Sequence, residues 1–121
     1  MSRLIDTAGL QSAIEAFARP RNWDQFHSPK NLAMALTGEV GELVEIFQWL
    51  TEAQSQEAMN DPARAVHIRE ELADVTIYLV RLAAVLGVDL DAAVKDKLVK
   101  NAQKYPAPSA SIIYPQKAKE P

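Results

Sequence analysis

Gly38-Glu39-Val40-Gly41-Glu42-Leu43-Val44-Glu45 lies inside a run of helix formers from Pro29 to Leu50. An α-helix turns about 100° per residue, so Glu39 and Glu42 fall about 60° apart, on one face. That face is apolar: Leu32, Ala35, Leu43 and Ile46 flank the two acids. Burying an unpaired carboxylate costs on the order of several kcal/mol. A positive partner is therefore expected beside them, and a metal ion is the simplest one. Glu45 turns toward the polar side and reads as a solvent or outer-sphere group.

The pattern occurs twice. Glu71 and Asp74 have the same spacing on the run from Pro62 to Leu86, in an arc with Tyr78, Leu82 and Val85. Glu70, like Glu45, faces the polar side. Two helices, each with two acids on a core-facing stripe, can place four carboxylates around one point. All-oxygen ligation suits a hard cation, Mg²⁺ with Mn²⁺ as the alternative. A di-iron carboxylate bundle would need two Glu-x-x-His motifs. Here Glu42 and Asp74 stand where those histidines belong, and neither His27 nor His67 fits. No loop offers the alternating acids of an EF-hand.

Bulk properties narrow the class. A chain of 121 residues, 48% hydrophobic and 24% charged, suits one globular domain. Its net charge of −3 and lack of a basic block argue against a nucleic-acid partner. With no cysteine there is no disulfide framework or thiol nucleophile. Arg81 interrupts the longest apolar run, so no membrane span is expected. Met1 to Asp6 carries no signal-peptide hydrophobic region, and a soluble cytoplasmic protein is the expectation.

The helices are punctuated clearly. A first helix should run from Asp6 or Thr7 to Ala18, with Leu10, Ile14 and Phe17 at helical spacing and Pro20 ending it. Arg21 to His27 reads as a loop. Ser28 as N-cap and Pro29 at the first position start the acid-bearing helix. Gly38 and Gly41 inside it each cost about 1 kcal/mol relative to alanine. They imply close helix packing, or room for a metal or phosphate. Thr51 to Asn60 reads as a loop or short helix. Asn60 or Asp61 caps the next long helix, Gly87 ends it, and Asp89 caps a last helix over Leu90–Lys104. Between Val75 and Leu86 the long helix is apolar almost all round, which predicts a homo-oligomer with this helix near the interface. The expected architecture is all-α and four-helix bundle-like, with a domain over 1–106 and a Pro- and Lys-containing tail over 107–121. There is no internal repeat at a solenoid period and no β-alternation long enough to build a sheet.

Two further groups bear on chemistry. Lys97, Asn101 and Lys104 follow one face of the last helix and suit phosphates, although a solvated lysine face is the plainer reading. Trp23, Phe26 and Trp49 suit a base, since stacking contributes about 1–3 kcal/mol; aromatics at helical spacing are otherwise core. His27 beside them is either a helix-entry residue or a donor to a base or phosphate.

Together these segments resemble the all-α nucleoside triphosphate pyrophosphatases of the MazG-like superfamily, and most closely its dCTP pyrophosphatase branch. The resemblance rests on Arg21, Trp23, Phe26, His27, Pro29, Asn31 and Leu32; on Gly38 to Leu43 with Phe47 to Trp49; on Glu70 to Leu79; and on Lys97, Asn101, Lys104, Tyr105 and Pro106. It covers about residues 5 to 106. It implies Mg²⁺-dependent hydrolysis of a nucleoside triphosphate to the monophosphate and pyrophosphate, by a homotetramer, in service of nucleotide-pool sanitation. By that likeness Glu39, Glu42, Glu71 and Asp74 hold the metal and Glu39 orients the attacking water. Lys97, Asn101, Lys104 and Tyr105 hold the triphosphate. Trp23 and Trp49 stack the base, with His27 and Tyr78 nearby. dCTP or a modified dCTP is the expected substrate; a broad or dUTP-directed enzyme and a non-catalytic binding module are the alternatives. The tail after Pro106 matches nothing in the pattern.

Overall fold

Side-chain caps set the helix starts. Asp6 accepts from the Gly9 N–H and opens α1 (Thr7–Ala18); Ser28 accepts from Asn31 N–H and opens α2 (Pro29–Phe47). Thr51 and Gln54 form a reciprocal capping box on the short α3 (Glu52–Gln56). Asp61, followed by Pro62, opens α4 (Pro62–Leu86), and Asp89 opens α5 (Leu90–Lys104). Gly87 takes φ +70°, the left-handed conformation that ends α4. The computed structural model describes residues 2–108, and among these there is no strand. The all-α expectation holds. Most of the 107–121 tail lies outside the described residues.

Two stretches differ from expectation, and in a third the short-helix alternative holds. α2 stops at Phe47 rather than Leu50, because Leu50 N–H turns back to the Phe47 carbonyl and Thr51 then caps α3. Thr51 to Asn60 contains α3 and a 3-10 turn over Ala58–Asn60. The loop before α2 is likewise two 3-10 turns, Arg19–Arg21 and Trp23–Phe26, hinged at Asn22 with φ +57°. Asparagine tolerates that left-handed conformation better than most residues.

The principal packing is α2 against α4, with α1 laid on α4; α5 joins them only thinly. The buried apolar set is small-residue-rich: Ala18, Ala58, Ala65 and Ala83, with Leu32, Ile68 and Val80. Small residues let the helices approach. Leu32 is the one large side chain fully buried among the described residues. By contrast Leu72, Ile77, Leu79 and Val85 of α4, Val40 and Val44 of α2, and Leu98 and Val99 of α5 all stand exposed. Within the chain, a Cβ added at Gly38 or Gly41 would meet nothing within 4 Å. The expected close packing at these glycines is therefore not found in the single chain.

α5 is tied to the N-terminal segment through Asp91, which is 3% exposed. Its Oδ1 accepts from Leu4 N–H (2.6 Å) and Ile5 N–H (3.1 Å), and Lys95 Nζ lies 3.0 Å from Oδ2. Burial alone would raise this carboxyl, but Lys95 and the two backbone donors outweigh it and hold the pKa at about 2.

Candidate metal and nucleotide site

The α2–α4 packing brings together carboxylates that are about thirty residues apart in the chain. Ligand oxygens of Glu39, Glu42 and Glu71 all lie within 4.8 Å of one another. Glu71 is buried, Glu39 half-buried and Glu42 exposed. Oε2 of Glu39 and Oε2 of Glu71 are buried without a hydrogen-bond partner. Burial first, then the shared hydrogen bond with Glu71 and the charges of Glu42, Asp74 and Glu71, push the Glu39 pKa to about 7. Glu71 is also raised, chiefly by burial.

Orphaned acceptor oxygens and mutual repulsion are what a divalent cation relieves, so the donor set fits a hard metal. Asp74 stands outside the close triad, although its charge acts on Glu39 and it lines the adjoining cavity. His67, one turn before Glu71, places Nε2 3.5 Å from Glu71 Oε1. Its i,i+4 spacing was legible in the sequence, but its contact with the cluster depended on which face α4 turns inward.

Next to the acids is a cavity of about 560 Å³, within the range of small-molecule sites. Leu10, Ile14 and Phe17, the apolar stripe of α1, form part of its wall rather than a closed core. Trp23, His27 and Tyr78 face the same space, as do Glu39 and Asp74. Trp23 meets the Phe17 ring edge-on at 5.4 Å and the His27 ring at 6.4 Å. A second cavity of about 380 Å³ shares Trp23, His27 and Tyr78 and extends to Phe26 and Asn31.

Arg81 holds this wall in place. It is 9% exposed; its Nε donates to His27 Nδ1 (3.1 Å) and its Nη2 to Asp24 Oδ1 (2.6 Å). Nη1 lies 3.9 Å from Glu15 of α1. Sequence reasoning saw Arg81 only as a break in an apolar run. A lone charge in the otherwise apolar stretch from Val75 to Leu86 was the available signal.

The remaining candidates are elsewhere. Trp49 is 86% exposed and lines neither cavity. Lys97 and Lys104 are exposed on α5; Asn101 and Tyr105 are half-buried, and none of the four lines the cavity. Asn101 Oδ1 is buried without a partner, and Lys104 Nζ lies 5.3 Å from the Tyr105 ring centre.

A model of the MazG-like family matches residues 35–115. Rat dCTP pyrophosphatase 1 (Rattus norvegicus) is 51% identical over 90 residues, 74% of this chain and 53% of that protein. The human protein of that name (Homo sapiens) is 50% identical over 91 residues, 75% of this chain and 54% of that protein. The chain thus spans about half the length of the curated relatives it matches. The crystal structure of a pyrophosphatase from Archaeoglobus fulgidus DSM 4304 matches with a TM-score of 0.78 at 37% identity, covering 88% of this chain and 98% of that one.

Proposed function

The chain belongs to the MazG-like family, and on that footing we propose that it hydrolyses dCTP, or a modified dCTP, to dCMP and pyrophosphate with Mg²⁺. Such an enzyme would cleanse the nucleotide pool of the cytoplasm. The observation that carries this reading is the pair of buried, partnerless Oε2 atoms of Glu39 and Glu71 beside an aromatic-walled cavity. The names of the rat and human relatives support the choice of dCTP.

Glu39, Glu42 and Glu71 would hold the ion, with Asp74, which lines the adjoining cavity and whose charge acts on Glu39, as the fourth acid of the proposal. When bound, the ion supplies positive charge against the phosphates. Glu39 orients the water that attacks the α-phosphorus, and the bond from that phosphorus to the oxygen bridging to the β-phosphate breaks, releasing pyrophosphate. In-line displacement asks a protein mainly for positioning and charge neutralisation, so no Ser or Cys nucleophile is needed. Trp23 stacks the base, with His27 and Tyr78 at its edge.

Trp49, Lys97, Asn101, Lys104 and Tyr105 belong to the proposal through self-association. A homotetramer, or at least a dimer, would cover the exposed faces of α2, α4 and α5 and bring these residues to the cavity of another copy. Their distance from their own cavity and the extent of exposed apolar surface support that arrangement.

Product analysis with dCTP, dUTP, dATP, dGTP and the ribonucleotides, with Mg²⁺ and with EDTA, tests the reading. Release of dCMP and pyrophosphate, lost with EDTA, is expected. Preference for another base would overturn the aromatic assignment, and no turnover of any nucleotide would overturn the enzyme.

A further inference from the structure

Arg81 makes a contact that the pyrophosphatase reaction does not by itself require. A guanidinium is donor-only and stays charged. Its Nε–H points at His27 Nδ1 at 3.1 Å, so Nδ1 must be an unprotonated acceptor. An imidazole whose Nδ1 accepts carries its proton on Nε2 and is neutral.

Asp24 completes the clamp. It takes Arg81 Nη2 at 2.6 Å and belongs to the same 3-10 turn as Trp23. Arg81 therefore orients the ring, and the turn that bears Trp23, from α4. His27 lines both cavities. Its Nε2–H has no acceptor among the described residues.

We propose that Arg81 is a positioning residue for base selection: by engaging His27 Nδ1 it fixes Nε2 as a hydrogen-bond donor that favours a pyrimidine presenting an acceptor at N3. Cytosine has a bare N3, whereas uracil carries a proton there. A fixed donor at that position accepts the first and opposes the second. This inference rests on the nucleotide-hydrolase reading above and adds to it the group that sets the cytosine–uracil difference.

The charges around the ring agree. His27 is shifted below its ordinary pKa by burial first and by Arg81 second, against an opposing pull from Asp24. Glu15 of α1 lies beyond Arg81, and Glu39, Asp74 and Tyr78 share the larger cavity. A neutral, Nε2–H imidazole at neutral pH is what these surroundings favour.

The test pairs kinetics with ¹⁵N spectroscopy of the histidine rings in the 121-residue chain. The wild type should show His27 as the Nε2–H tautomer from pH 6 to 8. Arg81→Met should raise the His27 titration midpoint and lower the dCTP-over-dUTP preference in kcat/KM by about tenfold, the worth of one hydrogen bond. kcat for dCTP should change little. His27→Ala should lose the same preference, and the double variant should lose no more than either alone.

Asp24→Asn, at an exposed side chain, provides a milder second variant should Arg81→Met not fold; its preference should fall in the same direction. An unchanged preference in folded variants, additive losses in the double variant, or an Nδ1–H tautomer would overturn the role of Arg81. Absence of turnover by the wild type would instead overturn the hydrolase reading, and the selectivity role with it.

Discussion

Glu39 and Glu71 stand on different helices, yet each carries a buried Oε2 without a hydrogen-bond partner in a single carboxylate cluster. Neither oxygen can be satisfied by the other while both are ionised. Glu71→Gln removes one charge and keeps the shape. Turnover should fall more than about 100-fold, because even outer-sphere changes cost about 10–100-fold in metal sites. The metal-free melting temperature should stay level or rise. Wild-type activity in this variant would remove the metal role from Glu71.

The same cluster sets a pH dependence in the metal-free protein. The Glu39 pKa is about 7 in the fold against an ordinary 4.5, and Glu71 is raised as well. The folded state then binds more protons than the unfolded state between those values. Stability is full below about pH 4.5 and is lost as pH rises through 7. In EDTA the melting temperature should decline over that window. Mg²⁺ should raise it more at pH 8 than at pH 5, since the ion binds deprotonated carboxylates. An equal metal effect at both pH values would count against a carboxylate site.

Trp23→Ala removes the aromatic face beside His27. The expected result is a rise in KM of about 5- to 150-fold, corresponding to about 1–3 kcal/mol of lost stacking. A change confined to kcat would place the base elsewhere.

Trp49 reports on assembly. At 86% exposure in the single chain it should emit like indole in water if the protein is monomeric. In Trp23→Phe, where Trp49 is the sole tryptophan, a blue-shifted emission is expected because another copy covers it. Light scattering at micromolar concentration should give at least twice the 13.4 kDa chain mass. Red emission with a monomeric mass would refute the assembly.

Asp91 carries the opposite pH sign from Glu39. Its pKa of about 2 lies below the ordinary 3.8, so its stabilising effect is present above 3.8 and lost as pH falls through 2. Asp91→Asn should flatten the acid limb of the stability curve. It should also speed amide exchange at Leu4 and Ile5, whose N–H groups it holds. Unchanged exchange there would show that another contact holds the segment.

Local chemistry was enough to read the helices. Asp6, Ser28-Pro29, Asp61-Pro62, Gly87 and Asp89 act within one turn of themselves, so α1, α2, α4 and α5 begin, and α4 ends, where those residues dictate. The acid pairs were legible for the same reason: a three-residue spacing puts two side chains on one helix face whatever the rest of the chain does. The sequence by itself determined an all-α chain with carboxylates on apolar stripes.

The tertiary structure alone decided which of these groups meet. Packing α2 on α4 joined Glu39 and Glu42 to Glu71 and left Asp74 outside the close triad. It placed Trp23 and His27 on the cavity wall, and Trp49 and the α5 lysines away from it. It also turned Arg81 from an interruption in an apolar run into the clamp on His27 and Asp24. Contacts between residues 54 and 57 positions apart have no local signature, because they depend on the angle and register at which separate elements pack.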